Sequence, residues 1–396
     1  MQLKLKVLGV KSMDKKIENA IFHIKRDYEA ILKYMMTCLN NKLDYSSYMG
    51  VMPFFCMYVL EGYNYLQKNH LINADCIEQQ DLNKLEVCRS KGVKLHSGFK
   101  QKSFNSINDF NRDEYIKFYK AAFPKSKTRL LPFVDNYFIC CVDEFPIGNY
   151  HLYSKKVFDM EVGSYIPDVS KRVYDLAYLL ANFSSRIVMA IDQRFGKDMI
   201  DTHTVKMDFK YIDLNMAYDY SNFRIKCAPP ILMAFLDVLC VLNSYQKVFT
   251  VINEDSIFDV KVKYTILFHA ILSAKDIVEY CERSKIDIQM DEVLKKHIKY
   301  LDKTYVKNEL RKFCMHYDFP ETTWQNDSFT EMFEKVFGKP FKEISHELSF
   351  ALENLAERLQ EYLIVNKLCN PQIKEYLPYE ERNRYNKVQR TATEVD

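Results

Sequence analysis

Glycine is scarce in this chain, with nine residues in 396, where average usage of roughly 7% would give about 28. Only Gly92 and Gly98 lie close together, and their spacing fits neither a dinucleotide fingerprint nor a P-loop. Both motifs need glycine because the backbone must approach phosphate with no Cβ in the way. A Rossmann enzyme and a P-loop NTPase are therefore excluded as first readings. The Gly-x-Ser-x-Gly elbow is absent as well, which argues against an α/β-hydrolase. The 11 cysteines contain no Cys-x-x-Cys pair. Their odd number and scattered placement fit packing thiols in a reducing cytosol, not a disulfide scaffold or a zinc module. Long apolar runs are missing too. The longest, 51–60 and 231–242, fall short of the ~18 residues a membrane span needs, and the second contains Asp237. The start, residues 1–7, alternates apolar residues with Lys like a strand and unlike a signal peptide. A soluble cytoplasmic protein with no membrane partner is the expectation.

What is present is an apolar fraction of 48%, ample for a packed core, with a net charge of only +3. Tyr and Phe are abundant, at 28 and 27, against one Trp. Few glycines and 11 prolines point to long regular elements, mainly helices. Two textures divide the chain. Residues 1–225 read as mixed α/β, with helical periodicity over 15–40, 47–67, 107–123 and 171–195. Alternating strand-like runs cover 3–7, 133–142, 150–162 and 204–212. The polar stretch 69–105, holding two glycines, reads as a long loop or insertion. Pro229-Pro230 then marks a boundary, because tandem proline blocks helix continuation. Beyond it the pattern predicts helices at 231–249, 260–284, 291–305, 306–316 and 341–366, a four- to five-helix bundle over 226–370. A polar tail, 371–396, has no periodicity and is expected to fray. The fold expectation is mainly α with a mixed α/β N-terminal half.

The candidate chemistry lies in Glu309-Leu-Arg-Lys-Phe-Cys-Met-His-Tyr-Asp-Phe-Pro320, which contains Arg311-x4-His316. This motif, late in a helical bundle with a polar residue just after the Arg and a long amphipathic helix beyond it, resembles the HEPN superfamily signature. The resemblance covers about residues 230–366. Lys312 stands where Asn, Asp or His is commonest in that family. The resemblance implies a metal-independent endoribonuclease without cofactor, acting on RNA as a homodimer through its C-terminal bundle. Its two-fold groove would hold a composite site. It further implies transesterification to a 2′,3′-cyclic phosphate, with His316 as general acid or base, Arg311 on the charged phosphorane and Lys312 as a phosphate contact. By family analogy the setting is a regulated toxin or an abortive-infection, anti-phage effector. The N-terminal half would then sense a trigger or restrain the nuclease, through a regulatory partner.

Helix geometry adds a constraint of its own. Leu310, Phe313, Cys314 and Tyr317 form one apolar stripe, and Arg311 and His316 lie about 110° to either side of it. They can converge where the helix ends near His316, or across two copies. A second match, Arg89-x6-His96, surrounds Gly92 in a polar segment without helical periodicity and is set aside. Two further classes stay open. One is a non-catalytic module that binds nucleotide or protein and dimerises. The other is a metal-dependent nuclease in the N-terminal half, where Asp201 and Asp208-Phe-Lys210 supply the acid…acid-x-Lys pattern that holds Mg²⁺. His23 and His269 read as structural residues of helices.

Overall fold

Ala20, Ile24, Tyr28, Ile31, Met35 and Cys38 recur three or four apart, and all are buried along helix α1 (Lys15–Asn40). The structure is a computed structural model, and it describes residues 15–72, 77–94, 136–149, 166–192, 200–215, 223–224, 229–317 and 329–364. The strands expected at 3–7 and 150–162, the helix at 107–123 and the tail 371–396 lie outside the described residues. What is described is mostly helical, with one small sheet.

The expected helix at 47–67 is two pieces, α2 (Ser46–Met49) and α3 (Met52–Lys68). The break falls at Gly50, where a Cβ would collide with the side chain of Ser244. Gly62 allows a second close approach, because a Cβ there would sit 2.9 Å from the ring of Tyr28 on α1. Tyr28 in turn donates to the carbonyl of Val59 at 2.5 Å. Two scarce glycines are thus spent on letting other elements reach α2 and α3.

The polar stretch 69–105 is not the continuous loop its composition suggested. It contains α4 (Gln79–Lys94), which packs on α3. Leu85 and Cys88 are buried and Leu82 packs beside them, while Gln79, Gln80, Asn83 and Glu86 face solvent. Three apolar residues at helical spacing suffice for one buried stripe, although the segment as a whole is hydrophilic.

Strands β1 (Asn136–Val142) and β2 (Phe145–Asn149) form a hairpin, and β3 (Phe209–Asn215) pairs antiparallel with β1 on its other side, giving the order β2-β1-β3. The strand expected at 204–212 therefore starts later and runs further. Between these strands comes α5 (Ile166–Ile191), which lies along α1.

Pro229 and Pro230 open α6 (Pro229–Ser244), where missing amide donors cost nothing. This helix passes through a π-helical turn, Tyr245–Phe249, and ends at Thr250–Ile252. By length and composition the stretch Ile231–Ile252 resembles a membrane span, but most of it is buried inside the fold. It is a core helix, packed against β2, α7 (Ser256–Arg283) and α11 (Phe341–Leu363). The remaining helices are α8 (Glu292–Tyr305), α9 (Asn308–His316) and α10 (Phe329–Phe337). The periodicity had not singled out α10. One apolar core runs from α1, α3 and α5 into α6, α7, α9 and α11. The eight described cysteines are all buried free thiols.

Candidate functional site

Helix α9 is short, and buried tyrosines hold it at both ends. At its start the hydroxyl of Tyr264, from α7, donates to the carbonyl of Lys307 at 2.9 Å. The same hydroxyl accepts from the Lys307 amide at 3.4 Å. These bonds fix the residue that precedes the first helical turn. Leu310, Phe313 and Cys314 are buried, as the spacing predicted, and so is Met315.

The helix stops because Tyr317 adopts the left-handed conformation, with φ of 51°. A bulky residue there is an outlier that surrounding structure must enforce. The enforcement is visible. The ring of Tyr317 is 1% exposed. Its hydroxyl donates to the carboxylate of Asp27, and the Lys261 ammonium lies 4.2 Å from its ring centroid. Lys261 also forms a buried ion pair with Asp27 and sits 4.7 Å over Tyr58. Burial pushes the Asp27 carboxyl up, against the opposing pull of Lys261 and then the Tyr317 hydroxyl. Neighbouring His23 is driven down to about 3, first by burial and then by Lys261 and Arg26. It is neutral near pH 7 and packed edge-on to Phe313, a structural residue as its helical setting suggested. His269 is likewise buried, against Phe54 and Phe268.

With its backbone fixed by Tyr317, His316 projects from the last turn of α9 with about a third of its side chain exposed (34%). Its Nδ1 lies 3.1 Å from the carboxylate of Glu61, which α3 supplies. The other oxygen of Glu61 is in an ion pair with Arg89, which α4 supplies. Arg89 also reaches Glu86 at 3.2 Å. A line of Arg89, Glu61 and His316 thus joins α4, α3 and α9. Arg89 is the residue set aside in the sequence for want of a helical frame, and the structure gives it one. Its former partner His96 lies outside the described residues.

Arg311 and Lys312 are exposed on the same helix, and among the described residues neither side chain is held in an ion pair. Arg311 lies close enough to Tyr264 to lower that phenol electrostatically, against a larger upward push from burial. Around the helix Arg311 and His316 are about 140° apart. The fold couples His316 to Glu61, and no hydrogen bond or ion pair joins it to Arg311. Sequence reading missed Glu61. Its signal was a single carboxylate inside the apolar run of α3, where Met57, Tyr58, Val59, Leu60 and Leu66 are all buried.

Asp201 and Asp208 are exposed, and Asp208 and Lys210 face one another at 3.9 Å on the surface. Among the described residues no three His, Cys, Asp or Glu side chains are grouped to hold a metal ion. A polar cleft of about 530 Å³ lies beside the π-helical turn. In its wall Tyr245 donates to Asp259 at 2.5 Å, and Lys263 pairs with Asp259 at 3.1 Å. Set against protein families, curated proteins and solved structures, the chain finds no match.

Proposed function

We propose that this chain is a metal-independent endoribonuclease with His316 as its acid–base group. The observation that carries the reading is the His316 imidazole, part-exposed at the end of α9 with Nδ1 against Glu61. Exposed Arg311 and Lys312 on the same helix offer cations to a phosphodiester. In the reaction, Nε2 of His316 takes the proton of the RNA 2′-hydroxyl. The 2′-oxygen bonds to phosphorus, and the bond from phosphorus to the 5′-oxygen breaks. The 5′-oxygen leaves with a proton from a protonated imidazole, giving a 2′,3′-cyclic phosphate and a 5′-hydroxyl. Arg311 carries the added negative charge of the phosphorane, and Lys312 holds a neighbouring phosphate.

The 140° phase between Arg311 and His316 bears on how many chains a site needs. One copy does not aim both side chains at one phosphate from a straight helix face. A homodimer that places two α9 helices along one groove meets that need, with acid and base drawn from different copies. The same phase favours a second reading, in which the helices only dimerise or bind nucleotide. On the first reading the chain acts in the cytoplasm as a regulated toxin or anti-phage effector, restrained by a partner of its N-terminal half.

The experiment is RNA cleavage in EDTA by wild type, Arg311→Ala and His316→Ala, with product ends identified. Cyclic phosphate ends from wild type, and a loss of at least 100-fold in His316→Ala, are expected. Cleavage that EDTA abolishes would transfer the activity to a metal site such as Asp201 and Asp208. Cleavage that survives both substitutions would end the reading, and nucleotide binding without cleavage would leave the binding module.

A further inference from the structure

The line of Arg89, Glu61 and His316 is more specific than a surface salt bridge. Glu61 is only 15% exposed, and its two oxygens face two different groups, one on each side. Arg89 is spoken for by two carboxylates, Glu61 and Glu86, so it is poorly placed to take a phosphate. What it does in this geometry is hold Glu61. A carboxylate beside Nδ1 accepts a hydrogen bond from the N–H there and thereby sets which tautomer the neutral ring adopts.

We infer that Glu61 is the positioning residue of His316, and that Arg89 anchors Glu61, so that the imidazole keeps its proton on Nδ1 and presents a bare Nε2 to the substrate. The inference deepens the endoribonuclease reading and rests on it for the chemistry, although the pairing itself is independent of any activity. It assigns Nε2 as the atom that accepts the 2′-hydroxyl proton. After that transfer the ring is an imidazolium, and the Glu61 carboxylate stabilises it across the 3.1 Å contact. It also makes the site a product of both parts of the chain. Glu61 and Arg89 come from α3 and α4, whereas His316, Arg311 and Lys312 come from α9. Displacing α4 from α3 would remove Arg89 and loosen Glu61, which gives the N-terminal helices a direct hold on catalysis.

Glu61 of α3 contacts the ring, Arg89 and Glu86 of α4 stand behind Glu61, and Glu309, Arg311 and Lys312 are the other charged residues of α9. The test uses the full chain with ¹⁵N-labelled histidine. In wild type the neutral ring of His316 should show the Nδ1–H tautomer. In Glu61→Gln, whose amide can donate to Nδ1 as well as accept from it, the Nε2–H tautomer should gain population. Cleavage should fall roughly 10- to 100-fold in kcat with little change in KM, by analogy with other groups that orient a working histidine. Arg89→Gln should slow cleavage in the same sense, and Glu61→Asp should restore part of it. An Nε2–H tautomer in wild type, or an unchanged tautomer balance in Glu61→Gln, overturns the assignment. The tautomer is read on wild type, so a poorly folded variant does not rescue the idea. A wild type that cuts no RNA yet shows the Nδ1–H tautomer would refute the nuclease and leave the pairing intact.

Discussion

Acid should unfold this protein partly through one residue, His23. Its ring is held neutral, at about 3 against an ordinary 6.5, first by burial and then by Lys261 and Arg26. Arg26, Asp27 and Lys261 line the same small cavity as His23, so one ring faces two cations and one carboxyl. The folded value is depressed, so the folded state binds this proton less readily than the unfolded chain. The stability tied to the neutral ring is complete above about pH 6.5 and is lost as pH falls toward 3. Linkage over that interval gives a loss of about 2 kcal/mol at pH 5 and about 3 kcal/mol at pH 4, relative to pH 7.5. Other carboxylates also titrate there, so the comparison is with His23→Gln, which cannot be charged. Urea titrations of both proteins at pH 7.5, 5 and 4 isolate the histidine. The variant should be the less stable one at pH 7.5, through lost packing on Phe313, and its deficit should shrink by about 2 kcal/mol by pH 5. A deficit that stays constant with pH would show that His23 is not held neutral, and the account of the cavity beneath Tyr317 would fail.

Two further substitutions probe how α9 and α6 are held. Lys261→Met strands the Asp27 carboxylate in the core and should cost about 3–5 kcal/mol, whereas adding Asp27→Asn should recover much of it; additive losses in thermal unfolding would deny the coupling. Gly50→Ala forces a methyl against Ser244. It should cost about 1–3 kcal/mol, and the penalty should vanish in a Ser244→Gly background, as read by urea midpoints.

Much of the helical framework was legible in one dimension. α1 matched its expected bounds, and the stripe Leu310, Phe313, Cys314 and Tyr317 is buried as its spacing required. These features depend on periodicity, which the chain carries locally. Other features were not legible for identifiable reasons. α4 is polar overall, and only contact with α3 gives its few apolar residues something to bury. The break at Gly50 depends on a side chain nearly 200 positions away. α10 buries Phe329, Met332 and Phe333 in nine residues, too short a window for its pattern to stand out.

The candidate site divides along the same line. Scarce glycine excluded the phosphate-cradling loops, and the run from Glu309 to Pro320 offered Arg311, Lys312 and His316 on one short helix. That much is composition and local spacing. Which carboxylate meets His316, and why Arg89 matters, was decided only when α3, α4 and α9 came together. Glu61 and His316 are 255 positions apart and share no periodic relation, so sequence spacing alone cannot pair them. The left-handed turn at Tyr317 was equally hidden. A tyrosine takes that conformation only where its ring and hydroxyl are held from elsewhere, here by Asp27 of α1 and Lys261 of α7.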